Sequence, residues 1–130
     1  MEKEDICYMS AYEMREIIKN QEIASEEITE IIIERIKKIN PIINAYCTPT
    51  FDLARALAKK ADQVVKKGEK LGLLQGIPVS IKDETETKWI RTTYGSILME
   101  NNIPGADATI VKRLRDEGVV ILGKTNTPAF

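Results

Sequence analysis

The stretch Gly76-Ile77-Pro78-Val79-Ser80-Ile81-Lys82-Asp83 decides the fold class. Ile77, Val79 and Ile81 alternate after a glycine, which predicts a strand with its apolar side chains on one face. Pro78 lies near its start, where a missing N–H does least harm. Downstream, Val119 to Leu122 is an unbroken apolar run, the pattern of a buried parallel strand. Between them, Asp107 to Glu117 predicts a helix, with Ile110, Val111 and Leu114 apolar and Gly118 just past its end. Thr85 to Asn102 has no clear period and reads as a long loop with room for one helical turn. Strand, helix and strand across Ile77 to Leu122 make a βαβ unit, so the fold class is α/β.

Upstream the pattern is helical. Ser10 and Glu13 form an S-x-x-E capping box, and Tyr12, Met14, Ile17 and Ile18 follow it. Ser25 is expected to cap a second helix. Ile28, Ile31, Ile32, Ile36 and Ile39 line one side of it, and Pro41 is expected to stop it. Glu26, Glu27 and Glu30 near its start, with Arg35, Lys37 and Lys38 near its end, complement the helix dipole. Ala45 to Thr48 reads as a short extended piece. A third helix is expected from about Asp52 to Lys67, with Leu53, Ala54, Leu57, Ala61, Val64 and Val65 on one side and Gly68 ending it. Lys59, Lys60, Lys66, Lys67 and Lys70 read as a solvated face rather than an anion site. The expected organisation is thus a helical layer over about residues 10–70, followed by the first βαβ part of a sheet over about residues 76–126. Two strands leave at least one sheet edge uncovered. Such an edge invites self-association or a complementing C-terminal chain.

Composition narrows the function. The chain has 130 residues, the size of one ordinary domain, and its 19 basic and 20 acidic side chains leave a net charge of -1. A strongly cationic nucleic-acid binder is disfavoured. No apolar run reaches the roughly 18 residues of a membrane span. The opening Met1 to Ser10 is charged and does not read as a secretory signal. There is no histidine, so Ser-His-Asp and Cys-His catalysis and His-containing zinc sites are excluded. The 2 cysteines, Cys7 and Cys47, lie far apart and form no CxxC pair. They read as small buried hydrophobes in a reduced, cytoplasmic protein. No metal site and no cofactor are implied.

Lys82 is the first candidate for chemistry. Ligands of open parallel sheets bind outside the carboxyl ends of the strands, where Lys82 lies. Partial desolvation beside Ile81 would make its neutral amine available as a base. Its position alone equally allows a surface lysine paired with Asp83 or Glu84. Asp83 and Glu84 are adjacent and should point to opposite faces, which argues against a cooperating acid–base pair. Asp83 could accept backbone N–H bonds and fix the turn after the strand. Thr92-Thr93-Tyr94-Gly95-Ser96 offers hydroxyls, but Ser96 lies in no nucleophile elbow. Gly123-Lys124-Thr125 imitates the tail of a phosphate loop in the wrong order of elements.

The block from Gly76 to Asp83 resembles the lysine-bearing strand of the amidase signature family. Further blocks continue the resemblance in the family's order: Arg91-Thr92-Thr93-Tyr94-Gly95-Ser96, Ala106 to Leu114, and Val120-Ile121-Leu122-Gly123-Lys124-Thr125-Asn126. Ile39 to Ala45 resembles the turn after the family's long early helix. The resemblance runs from about Met9 to Phe130. It implies an α/β/α domain with a mixed sheet and hydrolysis of small-molecule carboxylic amides through a Ser–cis-Ser–Lys triad. Lys82 matches the triad lysine. Its neutral amine would take a proton, through the cis serine, from the nucleophilic serine; an acyl-enzyme would form and water release it. A Ser-Lys scheme needs no histidine and no cofactor.

Three positions depart from the family's pattern. Glu84 stands where Asn is common, Trp89-Ile90 where Gly is frequent, and Thr127-Pro128-Ala129-Phe130 where the motif often reads Thr-Pro-Glu-Phe. The Gly/Ser-rich segment that carries both serines in this family has no counterpart among these residues. The expectation is therefore the N-terminal portion of an amidase, holding the lysine alone and inactive by itself. Two other readings remain open: part of the glutaminase subunit of a tRNA-dependent amidotransferase, ranked lower on the Asn126-Thr127-Pro128 ending, and a non-catalytic partner-binding or split-enzyme module.

Overall fold

A computed structural model describes all residues from Met1 to Phe130. Its order is α1 (Lys3–Cys7), α2 (Ala11–Lys19), α3 (Ser25–Ile43), β1 (Tyr46–Pro49), α4 (Phe51–Lys66), β2 (Pro78–Lys82), a 3-10 turn (Ile97–Met99), α5 (Thr109–Asp116) and β3 (Val120–Thr125). The sheet has 3 strands in the order β1-β3-β2. β2 and β3 are parallel neighbours joined through α5, the βαβ unit expected from the sequence. β1, expected only as an extended piece, pairs antiparallel with β3 and makes the sheet mixed. β1 and β2 therefore each keep one edge unpaired by a strand.

The helical layer forms as its apolar spacing dictates, with two differences. Ser25 does not cap α3: it is the first helical residue, and its hydroxyl donates to the Gly76 carbonyl at 2.7 Å. The cap comes from α4, where the buried Asp62 carboxylate accepts the Ser25 N–H at 2.8 Å and the Glu26 N–H at 3.0 Å. An acid at a helix N-terminus also favours the dipole. Gly76 makes this approach possible. Its φ is +75°, and a Cβ there would stand 2.8 Å from the Ser25 hydroxyl. The second difference is at Pro41, which lies inside the last turn of α3 instead of stopping it. Proline removes one N–H, and the turn closes beyond it on the left-handed Asn44, whose N–H donates to Asn40 at 2.7 Å.

Both faces of the sheet are packed. Val120 and Leu122 meet Ile33 of α3 and Ala54 and Ala58 of α4 on one face. Val119, Ile121 and Ile81 meet Val111 of α5 and Ile90 on the other. A third cluster joins Ile6, Met14, Ile18, Ile28, Ile31, Val65 and Ile77 among the helices. Ile110, expected on the apolar side of α5, is exposed.

A β-bulge breaks the alternation of β3. Val79 pairs with Ile121 but Ser80 pairs with Gly123, so Leu122 is an extra residue on β3. Parity reverses beyond it. Lys124 comes to pair with Ile81 and shares its face, the face of Ile121, where strict alternation would have sent it to the side of Leu122. Gly123 has φ +148°, and a Cβ there would lie 2.5 Å from the Thr48 carbonyl oxygen and 3.2 Å from the Tyr46 ring.

Candidate functional site

The candidate residues gather at the C-terminal ends of β2 and β3. Ser80 and Lys82 are exposed on the face that carries α4, while Ile81 and Asp83 turn inward to the other. The Lys82 side chain is 51% exposed, and its Nζ lies 2.9 Å from Glu84 Oε1. The desolvation expected from Ile81 is absent, because Ile81 points through the sheet to the opposite face. A half-exposed pair of this kind is worth at most about 1 kcal/mol. The amine is therefore presented rather than buried.

Asp83 is almost wholly buried and held through its backbone and one carboxylate oxygen. Its N–H donates to Thr125 at 2.8 Å and its carbonyl accepts from the Tyr94 N–H at 2.9 Å. Its Oδ2 accepts from the Thr93 N–H at 3.2 Å and from the Thr93 hydroxyl. The carboxylate thus fixes the turn after the strand, in the role expected for it.

Lys124 is the residue that sequence reasoning missed. It has no exposed surface. Its Nζ donates to the Thr85 carbonyl at 2.8 Å and to the Thr92 hydroxyl at 2.7 Å. Asp83 Oδ1, otherwise without a hydrogen-bond partner, stands 3.8 Å from it. Burial pulls the Lys124 ammonium below its ordinary value of 10.5, and the Asp83 charge opposes that pull. Thr92 passes the network on by donating to Ile90 at 3.0 Å. The sequence offered only a lysine two residues beyond the apolar run Val119 to Leu122, still within the strand.

The remaining candidates are structural. Cys47 donates its thiol to the Lys124 carbonyl at 3.5 Å; burial, with the Asp83 charge adding, pushes the thiol up, which makes it a poor nucleophile. Ser96 caps the 3-10 turn by accepting the Leu98 N–H at 3.3 Å. Ser80 lies near the Tyr46 phenol, which burial raises and the Ser80 hydroxyl partly restores. Lys59, Lys60, Lys66, Lys67 and Lys70 are all exposed, the solvated face expected of them. No group of three or more Cys, Asp or Glu side chains is placed to hold a metal ion. No helix is long and apolar enough to cross a membrane.

Lys82 thus ends β2 half exposed, in a mixed sheet, with Glu84 as its ion-pair partner. The chain belongs to the Amidase family, whose model matches residues 27–130. It is 45% identical over 126 residues to the A subunit of the glutamyl-tRNA(Gln) amidotransferase of Thermoanaerobacter pseudethanolicus, covering 97% of this chain and 26% of that one. Among solved structures, fatty acid amide hydrolase superposes with a TM-score of 0.91 at 26% identity, over 98% of this chain and 22% of that chain. The peptide amidase of Stenotrophomonas maltophilia superposes with a TM-score of 0.84 at 30% identity, over 91% and 24%. The chain thus spans about a quarter of the length of the curated relatives it matches.

Proposed function

We propose that residues 1–130 are the lysine-bearing portion of an amidase-signature domain that hydrolyses small-molecule carboxylic amides, with Lys82 as the triad base. The observation that carries this reading is the place of Lys82. It ends β2 on an exposed face, in the family's lysine block, with Glu84 as its ion-pair partner. On the family resemblance, the nucleophilic serine, the cis serine and the oxyanion donors would come from a Gly/Ser-rich segment that has no counterpart among these residues. Without them these residues are catalytically silent, since a nucleophile and an oxyanion site are each worth orders of magnitude in rate.

The test is a hybrid in which residues 1–130 replace the matching segment of the peptide amidase. Lys82→Ala should abolish its amide hydrolysis, by about three orders of magnitude or more. A hybrid that hydrolyses amides equally well with Lys82→Ala overturns the reading. So does Lys82-dependent hydrolysis by the 130 residues alone.

A second reading keeps the chemistry and changes the substrate. The relatives of 38–45% identity are subunits of glutamyl-tRNA(Gln) amidotransferases, whereas the hydrolase structures named above are 26–30% identical. This favours glutamine as the amide and partner subunits as the destination of the ammonia. Glutamine-dependent ammonia release, with the hybrid built instead on the amidotransferase relative, separates the two.

A further inference from the structure

We propose that Asp83 and Lys124 form a buried clamp that sets the direction in which Lys82 is presented, so that both act as positioning residues for the base. The proposal rests on the reading of Lys82 as the base. Lys82 and Asp83 are consecutive and face opposite sides of the sheet. Whatever holds Asp83 rigid therefore fixes the backbone from which Lys82 projects on the other side. Asp83 is held through its N–H, its carbonyl and its Oδ2 by Thr125, Tyr94 and Thr93. The free Oδ1 faces Lys124.

Lys124 does more than neutralise that carboxylate. Its two hydrogen bonds reach Thr85 and Thr92, on either side of the loop that follows Lys82. The loop returns to Asp83 through Thr93 and Tyr94, so one ammonium ties the strand end and both limbs of the loop together. A buried ammonium is costly to desolvate, and a leucine or methionine of similar volume would pack there more simply. The bulge at Leu122 is what brings this charge to the inner face. Bulges that re-aim a side chain gather beside active sites. Fixing a base within a fraction of an ångström of its productive direction is what such a scaffold contributes to rate.

The test uses the 130-residue chain and needs no catalysis. Its amines are dimethylated with 13C-formaldehyde, and the Lys82 signal is identified by its loss in Lys82→Arg. Amide hydrogen exchange is followed at Asp83, Thr93 and Tyr94. The variant is Asp83→Asn with Lys124→Met, which removes both charges and leaves neither group stranded. The expected result is a Lys82 signal that moves toward those of the exposed Lys59 and Lys60. Exchange at Asp83 and Tyr94 should quicken roughly ten-fold or more, with the middle of α3 unchanged. An unchanged Lys82 signal with unchanged exchange overturns the clamp. Exchange that quickens equally throughout α3 also overturns it, because the pair would then be merely structural. Should the double variant not fold, Asp83→Asn alone is judged by the same criteria. Failure here leaves the hybrid assay of Lys82 untouched, and failure of that assay leaves these signals as they are.

Discussion

Lys82 and Lys124 stand one register step apart on neighbouring strands, since Lys82 pairs with Thr125 and Lys124 with Ile81, yet their side chains leave the sheet on opposite faces. One is half exposed beside a carboxylate, and the other has no exposed surface. The two amines therefore differ in access: solvent reaches Lys82 and does not reach Lys124. Asp83, next to the first and facing the second, joins them.

The buried pair makes a sharp prediction about stability. Lys124→Met alone leaves the Asp83 carboxylate buried without its counter-charge and should cost about 3–5 kcal/mol. Adding Asp83→Asn should recover most of that loss, because the second change removes the stranded charge. Urea unfolding of the two single variants and the double variant closes the cycle. A double variant less stable than either single one would show that the ion pair is not the unit.

The cap on α3 should be worth less. Asp62→Ala removes the acceptor of two helix N–H groups and should destabilise by about 1–2 kcal/mol. The loss should appear in urea unfolding, while the methylated Lys82 signal stays in place because Asp62 lies among the helices, away from the site. A shift of that signal in Asp62→Ala would contradict the separation of the two regions.

Alkaline pH should weaken the fold through Cys47. The unfolded thiol ionises near its ordinary value of 9.0, whereas burial holds the folded thiol higher. Between those two points the folded state binds more protons than the unfolded, so stability falls as pH rises. Lys124 acts in the reverse sense. Its folded value lies below 10.5, so the cost of burying its charge is full at neutral pH and fades as pH climbs through that folded value. Cys47→Ala should remove the falling component, and its unfolding free energy should decline less between about pH 8 and 10 than that of the parent. Parallel curves would refute the assignment.

At Gly123 any side chain should be damaging. A Cβ would lie 2.5 Å from the Thr48 carbonyl oxygen, a backbone atom of the paired strand that cannot swing aside. Gly123→Ala should therefore cost more than the roughly 1 kcal/mol of an ordinary glycine replacement and should loosen β1 from β3. Exchange at the Thr50 and Asn126 amides, which donate across to Leu122 and Ala45, reports it directly.

The sequence carried most of the architecture in its periodicities. Isoleucine spacing located α3, alternation located β2, and the apolar run from Val119 located β3. Two tertiary effects escaped. Ser25 precedes a helix and has the right chemistry for a cap, but Asp62, 37 positions later, takes the donors instead. Pro41 carries a strong local stop signal, yet a last turn with little left to hydrogen-bond tolerates it. At the candidate site, the place of Lys82 at the strand end and the turn-fixing role of Asp83 were legible because each follows from strand position. Lys124 was not. Its burial depends on a register shift between paired strands, a property of two segments that neither displays alone.

The bulge at Leu122 also governs which genetic changes this segment can absorb. Substituting Leu122 by another apolar residue alters only volume against Ala54 and Ala58, and packing can adjust. Deleting it removes the bulge without turning Lys124, which would then follow Ile121 by two positions and keep its place opposite Ile81 on the inner face. What the deletion takes away is the apolar side chain against Ala54 and Ala58, with Gly123 moving into its position. The strand should therefore tolerate apolar replacement at Leu122 better than its loss.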